Sequence, residues 1–187
     1  RLATLAAEEF PNVDEGQAPA LAAFAVAQSI LKRLIEKTSF AMAQQDVRFY
    51  LCGMLLEISG GAGQLRGVAT DGHRLAFASM EIDGSLPRQE LILPRKTVLE
   101  LNRLLADNDE PLLIEAAANQ IRFQFGHINL VSKLIDGKFP DYERVIPATL
   151  RNVLQINRVA LLSSMSRAAI LTNEKFRGVR MVLAPGS

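Results

Sequence analysis

The stretch VATDGHRLAFASM, residues 68–80, places an acid, an imidazole and a guanidinium inside an otherwise apolar, alternating run. Asp71 and His73 are the pair best suited to acid–base work. Two positions apart, they share a face of a strand, but in a tight turn they diverge. A hydrolytic triad would need a nucleophile as well, and Ser79 is the only serine close downstream. The chain contains no G-x-S-x-G, H-E-x-x-H or Walker pattern, and its two histidines and single cysteine lack metal-ligand spacing. His127, in FGHINL, reads as an ordinary strand residue. The polar turn is therefore a catalytic cluster, a binding-site rim or a hairpin corner, with an α+β hydrolase or transferase using Asp71 and His73 as the enzymatic alternative.

Two further groups could bind phosphate. Gly60, Gly61 and Gly63 have no helix after them to supply N–H groups and a dipole, so they read as a plain hairpin loop. Lys32, Arg33 and Lys37 lie in one helical segment, and Arg95, Lys96 and Arg103 in another. Each set alone suits a solvated helix face with pairs such as Lys32–Glu36 and Lys96–Glu100. Two basic helices on one side of a sheet instead favour phosphate contact without base reading.

Helices and strands must place these side chains. ALAAFAV (20–26) predicts a strand, although its alanines also suit a helix, and AQSILKRLIEKTSFAMA (27–43) predicts a helix with Ile30, Leu31, Leu34 and Ile35 on its apolar stripe. VRFYLCGMLLEI (47–58) and QLRGVATDGHRLAFASMEI (64–82) are strand-like and joined by SGGAG. SLPRQELILP gives a turn and a short strand. PRKTVLELNRLLADND is a second helix, with Pro94 near its first turn and Val98, Leu101 and Leu105 on its stripe. PLLIEAAANQIRFQFGHINLVSKLI predicts two strands with a turn near Asn119, followed by the proline-bearing loop DGKFPDYERVIP. Strand, helix and strands thus occur twice. The pattern predicts an α+β domain of two similar halves, with both helices on one side of an antiparallel sheet. A fainter echo follows: the helix, polar turn, Arg177 and strand of NRVALLSSMSRAAILTNEKFRGVRMVL repeat the order around Arg48 at about a domain length.

Composition limits the partners. The 187 residues are 49% hydrophobic and 22% charged, and the net charge is +1. The whole molecule therefore has no overall pull toward nucleic acid or membrane, and any such binding needs charge segregated onto one face. No run approaches the eighteen or so apolar residues of a membrane span. Cys52, in an apolar run, reads as a small core residue in a reducing, cytoplasmic setting. RLATLAAEEFPNVDEGQAP reads as a strand end and a linker. With no initiator Met before it and MVLAPGS closing the chain, both ends look cut from something longer.

VRFYLCGML, ATDGHRLAFASM, LPRKTVLELNRLL, SKLIDGKFPDYERVIP and RAAILTNEKFRGVRMVL, taken in order, resemble the bacterial DNA polymerase III β subunit family, the sliding clamps. TDGHRL, FPDYERVIP and NEKFRGVR are the most specific of these motifs. The resemblance implies a DNA-clamp fold, with antiparallel sheet outside and two helices on the inner face. It further implies the end of a first domain plus linker at 1–17, a complete middle domain at 18–148 and the start of a third at 149–187.

The function implied is that of a non-catalytic processivity factor without cofactor or metal. Full-length members form a head-to-tail homodimeric ring around double-stranded DNA, without sequence preference. Members hold the polymerase III catalytic subunit, the clamp loader and repair proteins through clamp-binding peptide motifs. Carried over residue by residue, the peptide pocket comprises Leu51, Thr70, Gly72, His73, Arg74 and Leu75, with Pro140, Arg144 and Val145. Leu51, Leu75, Pro140 and Val145 suit apolar anchors, and Thr70, His73, Arg74 and Arg144 suit polar groups. Asp71 becomes a turn-former. Gln45, Arg48, Phe49 and Tyr50 join the helical cations as DNA-facing residues, although Phe49 stands where tyrosine is common. Ile170 and Leu171 match positions at the subunit interface. The implied location is cytoplasmic, at the nucleoid.

Overall fold

The computed structural model describes residues 4, 6, 20–59, 63–84, 86–150, 152–172 and 178–183. The chain forms two compact units, Arg1–Tyr142 and Glu143–Ser187. In the first, the order is β1 (Ala22–Ala27), α1 (Gln28–Thr38), β2 (Gly53–Ser59), β3 (Gln64–Thr70), β4 (Leu75–Glu81), β5 (Gln89–Pro94), α2 (Arg95–Leu104), β6 (Pro111–Ala116), β7 (Gln120–Phe125) and β8 (Ile128–Lys133). The α+β class and the twice-repeated order of strand, helix and strands agree with the sequence pattern.

The strands differ from expectation in forming two four-stranded sheets rather than one, ordered β1-β6-β7-β8 and β4-β3-β2-β5. Each half lends its leading strand to the other. Phe24 of β1 faces Ile114 of β6, and Ile92 of β5 faces Leu55 of β2, both in antiparallel register. One core joins the sheets and helices. It contains Phe24 and Val26, Leu31, Leu34 and Ile35 from α1, Val98 and Leu101 from α2, and Leu56, Ile114 and Phe123 from the strands. Alternation along β1 explains its role, since Ala22, Phe24 and Val26 are buried while Ala23 and Ala25 are exposed.

No side chain caps α1. Instead, the N–H groups of Gln28 and Ser29 donate to the carbonyls of Glu110 and Asn108. Helix ends need partners for these groups, and here the loop after α2 supplies them. The Lys32 ammonium donates in return to the Leu105 carbonyl, 2.7 Å away at the end of α2, where a cation is favoured.

Three local readings are corrected. PLLIEAAANQIRFQFGHINLVSKLI forms three strands, because a second turn at Gly126 and His127 divides it. Gly126, with φ of 54°, permits that turn, and His127 is an exposed turn residue rather than a strand residue. VRFYLCGMLLEI is not extended throughout: Phe49–Cys52 forms a 3-10 turn and β2 begins only at Gly53. Cys52 is consequently only part-buried. SGGAG does join a hairpin, with Ser59 opposite Gln64, but residues 60–62 lie outside the described residues. Most of the expected N-terminal linker lies outside them too.

The second unit contains α3 (Arg158–Ile170), whose Asn157 side chain accepts hydrogen bonds from the Val159 and Ala160 N–H groups. No residue of α3 is buried. Arg177 and its neighbours 173–176 lie outside the described residues, and 178–183 form no strand.

Candidate functional site

The polar turn is the corner between β3 and β4, where Thr70 faces Leu75. It holds its shape through its own side chains. The Thr70 hydroxyl donates to the Arg74 carbonyl at 2.7 Å and accepts from the Gly72 N–H at 3.1 Å. Asp71 Oδ1 accepts from the N–H groups of His73 and Arg74, both at 3.0 Å, while Oδ2 accepts from Arg74 Nε at 3.0 Å. The His73 and Arg74 N–H groups and the Arg74 guanidinium hold the Asp71 carboxyl below its ordinary range. A carboxylate so engaged is a poor general base, and this removes the physical case for catalysis by Asp71. Ser79 adds nothing to that case, since four residues of extended strand from Leu75 carry it about 13 Å from the turn.

A neighbouring loop closes on the turn. Gly72 has φ of 88°, and a Cβ there would lie 3.2 Å from Arg48 Nη2. Arg48 is itself forked onto Asp46, with Nε to Oδ1 at 3.0 Å and Nη2 to Oδ2 at 2.7 Å. The Arg48 guanidinium and backbone N–H pull the Asp46 carboxyl down to about 2. Arg74 lies with its guanidinium carbon 5.8 Å from the Phe40 ring centroid.

Below the turn, a second apolar cluster covers one face of the β4-β3-β2-β5 sheet. Leu55, Val68 and Ile92 pack with Phe139 and Tyr142, and Leu75 joins at the edge. This brings Leu75 together with the segment that carries Pro140. A buried Glu57, only 2% exposed, anchors that segment by accepting from the Tyr142 hydroxyl at 2.7 Å, with Arg66 at 3.5 Å. Burial first and Glu57 second push the Tyr142 hydroxyl up to about 12.

Among the expected pocket residues, Leu51 is buried, Thr70 and Leu75 are half-buried, and Gly72, His73, Arg74 and Pro140 are exposed. Arg144 and Val145 belong to the second unit. Thr70 serves the turn itself, so its hydroxyl proton is already engaged. Of the expected DNA-facing residues, Lys37, Lys96, Gln45 and Phe49 are exposed and Tyr50 is half-buried. Arg33 pairs with Asp107 at 3.4 Å, Arg103 pairs with Glu100, and Arg95 reaches the Met42 carbonyl at 3.5 Å. Ile170 and Leu171 are exposed. Phe40, Asp46, Glu57 and Tyr142 were not singled out from sequence. Only Glu57 left a signal there, as an acid inside the apolar run GMLLEI.

No group of acids, histidines and cysteines among the described residues could hold a metal ion, and no described helix is long and apolar enough to cross a membrane.

Residues 25–141 match the family model for the DNA polymerase III beta subunit, central domain. The beta sliding clamp of Pseudomonas aeruginosa is 52% identical over 188 residues, which is 99% of this chain and 50% of that protein. That of Escherichia coli K12 is 50% identical over 183 residues, covering 98% and 49%. A crystal structure of the P. aeruginosa sliding clamp bound to griselimycin superposes with a TM-score of 0.85 at 50% identity, covering 92% of this chain and 46% of that one. The chain thus spans about half the length of the relatives it matches, and its first unit has the fold of the clamps.

Proposed function

This chain belongs to the DNA polymerase III beta subunit family, and we propose from that membership that it is part of a sliding clamp, the processivity factor of replication. The full-length protein encircles duplex DNA as a head-to-tail homodimer and tethers the polymerase III catalytic subunit, the clamp loader and repair proteins by their clamp-binding motifs. It works in the cytoplasm at the nucleoid and has no catalytic role. Residues 1–17 end the first domain, 18–148 form the middle domain, and 149–187 begin the third.

The observation that carries the peptide-pocket reading is the self-locked turn at 70–75 standing beside the apolar cluster under Leu75. A rigid polar rim over apolar side chains suits a short linear peptide, whose ordering cost is met by a preformed site. Leu51, Leu75 and Pro140 supply apolar surface, with Gly72 leaving the rim open, while His73 and Arg74 supply polar contacts. Thr70 contributes by fixing the turn. The DNA-facing set is Lys32, Arg33, Lys37, Gln45, Arg48, Phe49, Tyr50, Arg95, Lys96 and Arg103, and Ile170 with Leu171 lie at the subunit interface.

Fluorescence polarisation with a labelled clamp-binding peptide tests the pocket. Leu75→Asp or Pro140→Asp weakens binding by about 1–3 kcal/mol, roughly five- to 150-fold. Affinity unchanged in both variants removes this surface from the peptide site.

A further inference from the structure

We infer that Phe40 is a positioning residue for Arg74 at the rim of the peptide pocket, an inference that rests on the pocket reading above. Phe40 lies on the 3-10 turn Ser39–Ala41 that follows α1. It is off the stripe formed by Leu31, Leu34 and Ile35, and its side chain is 60% exposed. The core therefore does not account for an aromatic ring here. The ring meets Arg74 instead, whose guanidinium carbon is 5.8 Å from its centroid.

Asp71 holds the same guanidinium from a second direction, through Nε at 3.0 Å. A ring beneath its central carbon and a carboxylate on its inner nitrogen hold the group from two directions and fix its position. The two terminal nitrogens of Arg74 make no hydrogen bond among the described residues. They are left as a paired donor for an acceptor on the bound peptide, either a backbone carbonyl or a side-chain carboxylate. A long side chain held this way gives up less freedom on binding than one waving in solvent. Phe40 acts through Arg74, and its contribution vanishes when the guanidinium is absent.

A double-mutant cycle on the 187-residue chain, read by polarisation of the labelled clamp-binding peptide, tests this coupling. Phe40→Leu keeps an apolar side chain without the ring and weakens binding about two- to fivefold, the range of an exposed cation–π contact. Phe40→Tyr retains the affinity, and in an Arg74→Gln background Phe40→Leu has no further effect. NMR supplies a readout independent of the peptide: the Arg74 δ-methylene protons are shifted upfield by the ring, and the shift is lost in Phe40→Leu but kept in Phe40→Tyr. Additive effects of the two substitutions, or an unshifted Arg74 in the parent chain, overturn the inference. If Leu75→Asp weakens binding and Phe40→Leu does not, the inference fails alone. If Leu75→Asp has no effect, the pocket reading fails and takes the inference with it.

Discussion

Asp71 illustrates how one side chain decides between two functions. On sequence it is half of an acid–base pair. In the fold, both of its oxygens accept hydrogen bonds from the turn it terminates. Its carboxyl ionises below the ordinary value of 3.8 in the folded chain. Between the two values the unfolded chain binds more protons, so the turn's stabilisation is complete above the ordinary value and disappears as pH falls through the lowered one. The amide protons of His73 and Arg74 should therefore titrate together in NMR spectra, with a midpoint below 3.8. A midpoint at or above it would mean that the carboxylate is not held by the turn. Tyr142 shows the cost of a buried partner. Removing its hydroxyl by Tyr142→Phe takes a donor from a carboxylate that is 2% exposed. Urea unfolding should show a loss of about 1–3 kcal/mol with the slope unchanged.

The helices and most of the strands could be read from periodicity, because each has one face in a shared core. Leu31, Leu34 and Ile35 mark α1, and Val98 with Leu101 mark α2, as directly in sequence as in the fold. The turn at Gly126 was hidden because FQFGHINL stays apolar on both sides of it, and a single glycine within an apolar run is also compatible with a continuous strand. The exchange of leading strands was hidden for a different reason: β1 and β5 alternate in the same way whichever sheet they join, and pairing partners leave no trace in a strand's own pattern. The contacts around the turn come from residues far off in sequence, so neither Phe40 against Arg74 nor Tyr142 on Glu57 could be anticipated. α3 was expected as a helix and forms one, but it buries no residue. A thirteen-residue helix without a packed face is marginal in water. Its amides should exchange with deuterium well before those of α1 and α2, as hydrogen-exchange mass spectrometry can establish. Equal protection would mean that α3 has found a partner surface.

For the whole molecule, a net charge of +1 and several internally paired arginines set the scale of DNA affinity. Binding to duplex should be weak, indifferent to sequence and steeply dependent on salt, with Lys37→Glu and Lys96→Glu each lowering the salt slope by about one. Filter binding across a salt series tests this, and a sequence preference that survives moderate salt would contradict sliding. With half the length of its relatives, the 187-residue chain should run as a monomer in light scattering and be lost equally from circular and linear plasmid. Selective retention on the circle would show that these residues can close a ring. The exchange of leading strands also bears on how the first unit folds. Neither sheet can be completed from one half of the chain, because β1 must wait for β6 and β2 for β5. These two pairings close long loops, and the entropy of closing them is lost before either sheet is complete. A nascent first half leaving the ribosome carries an unsatisfied edge on β1 until the second half arrives, and the similar half of a neighbouring chain is the most natural wrong partner for it.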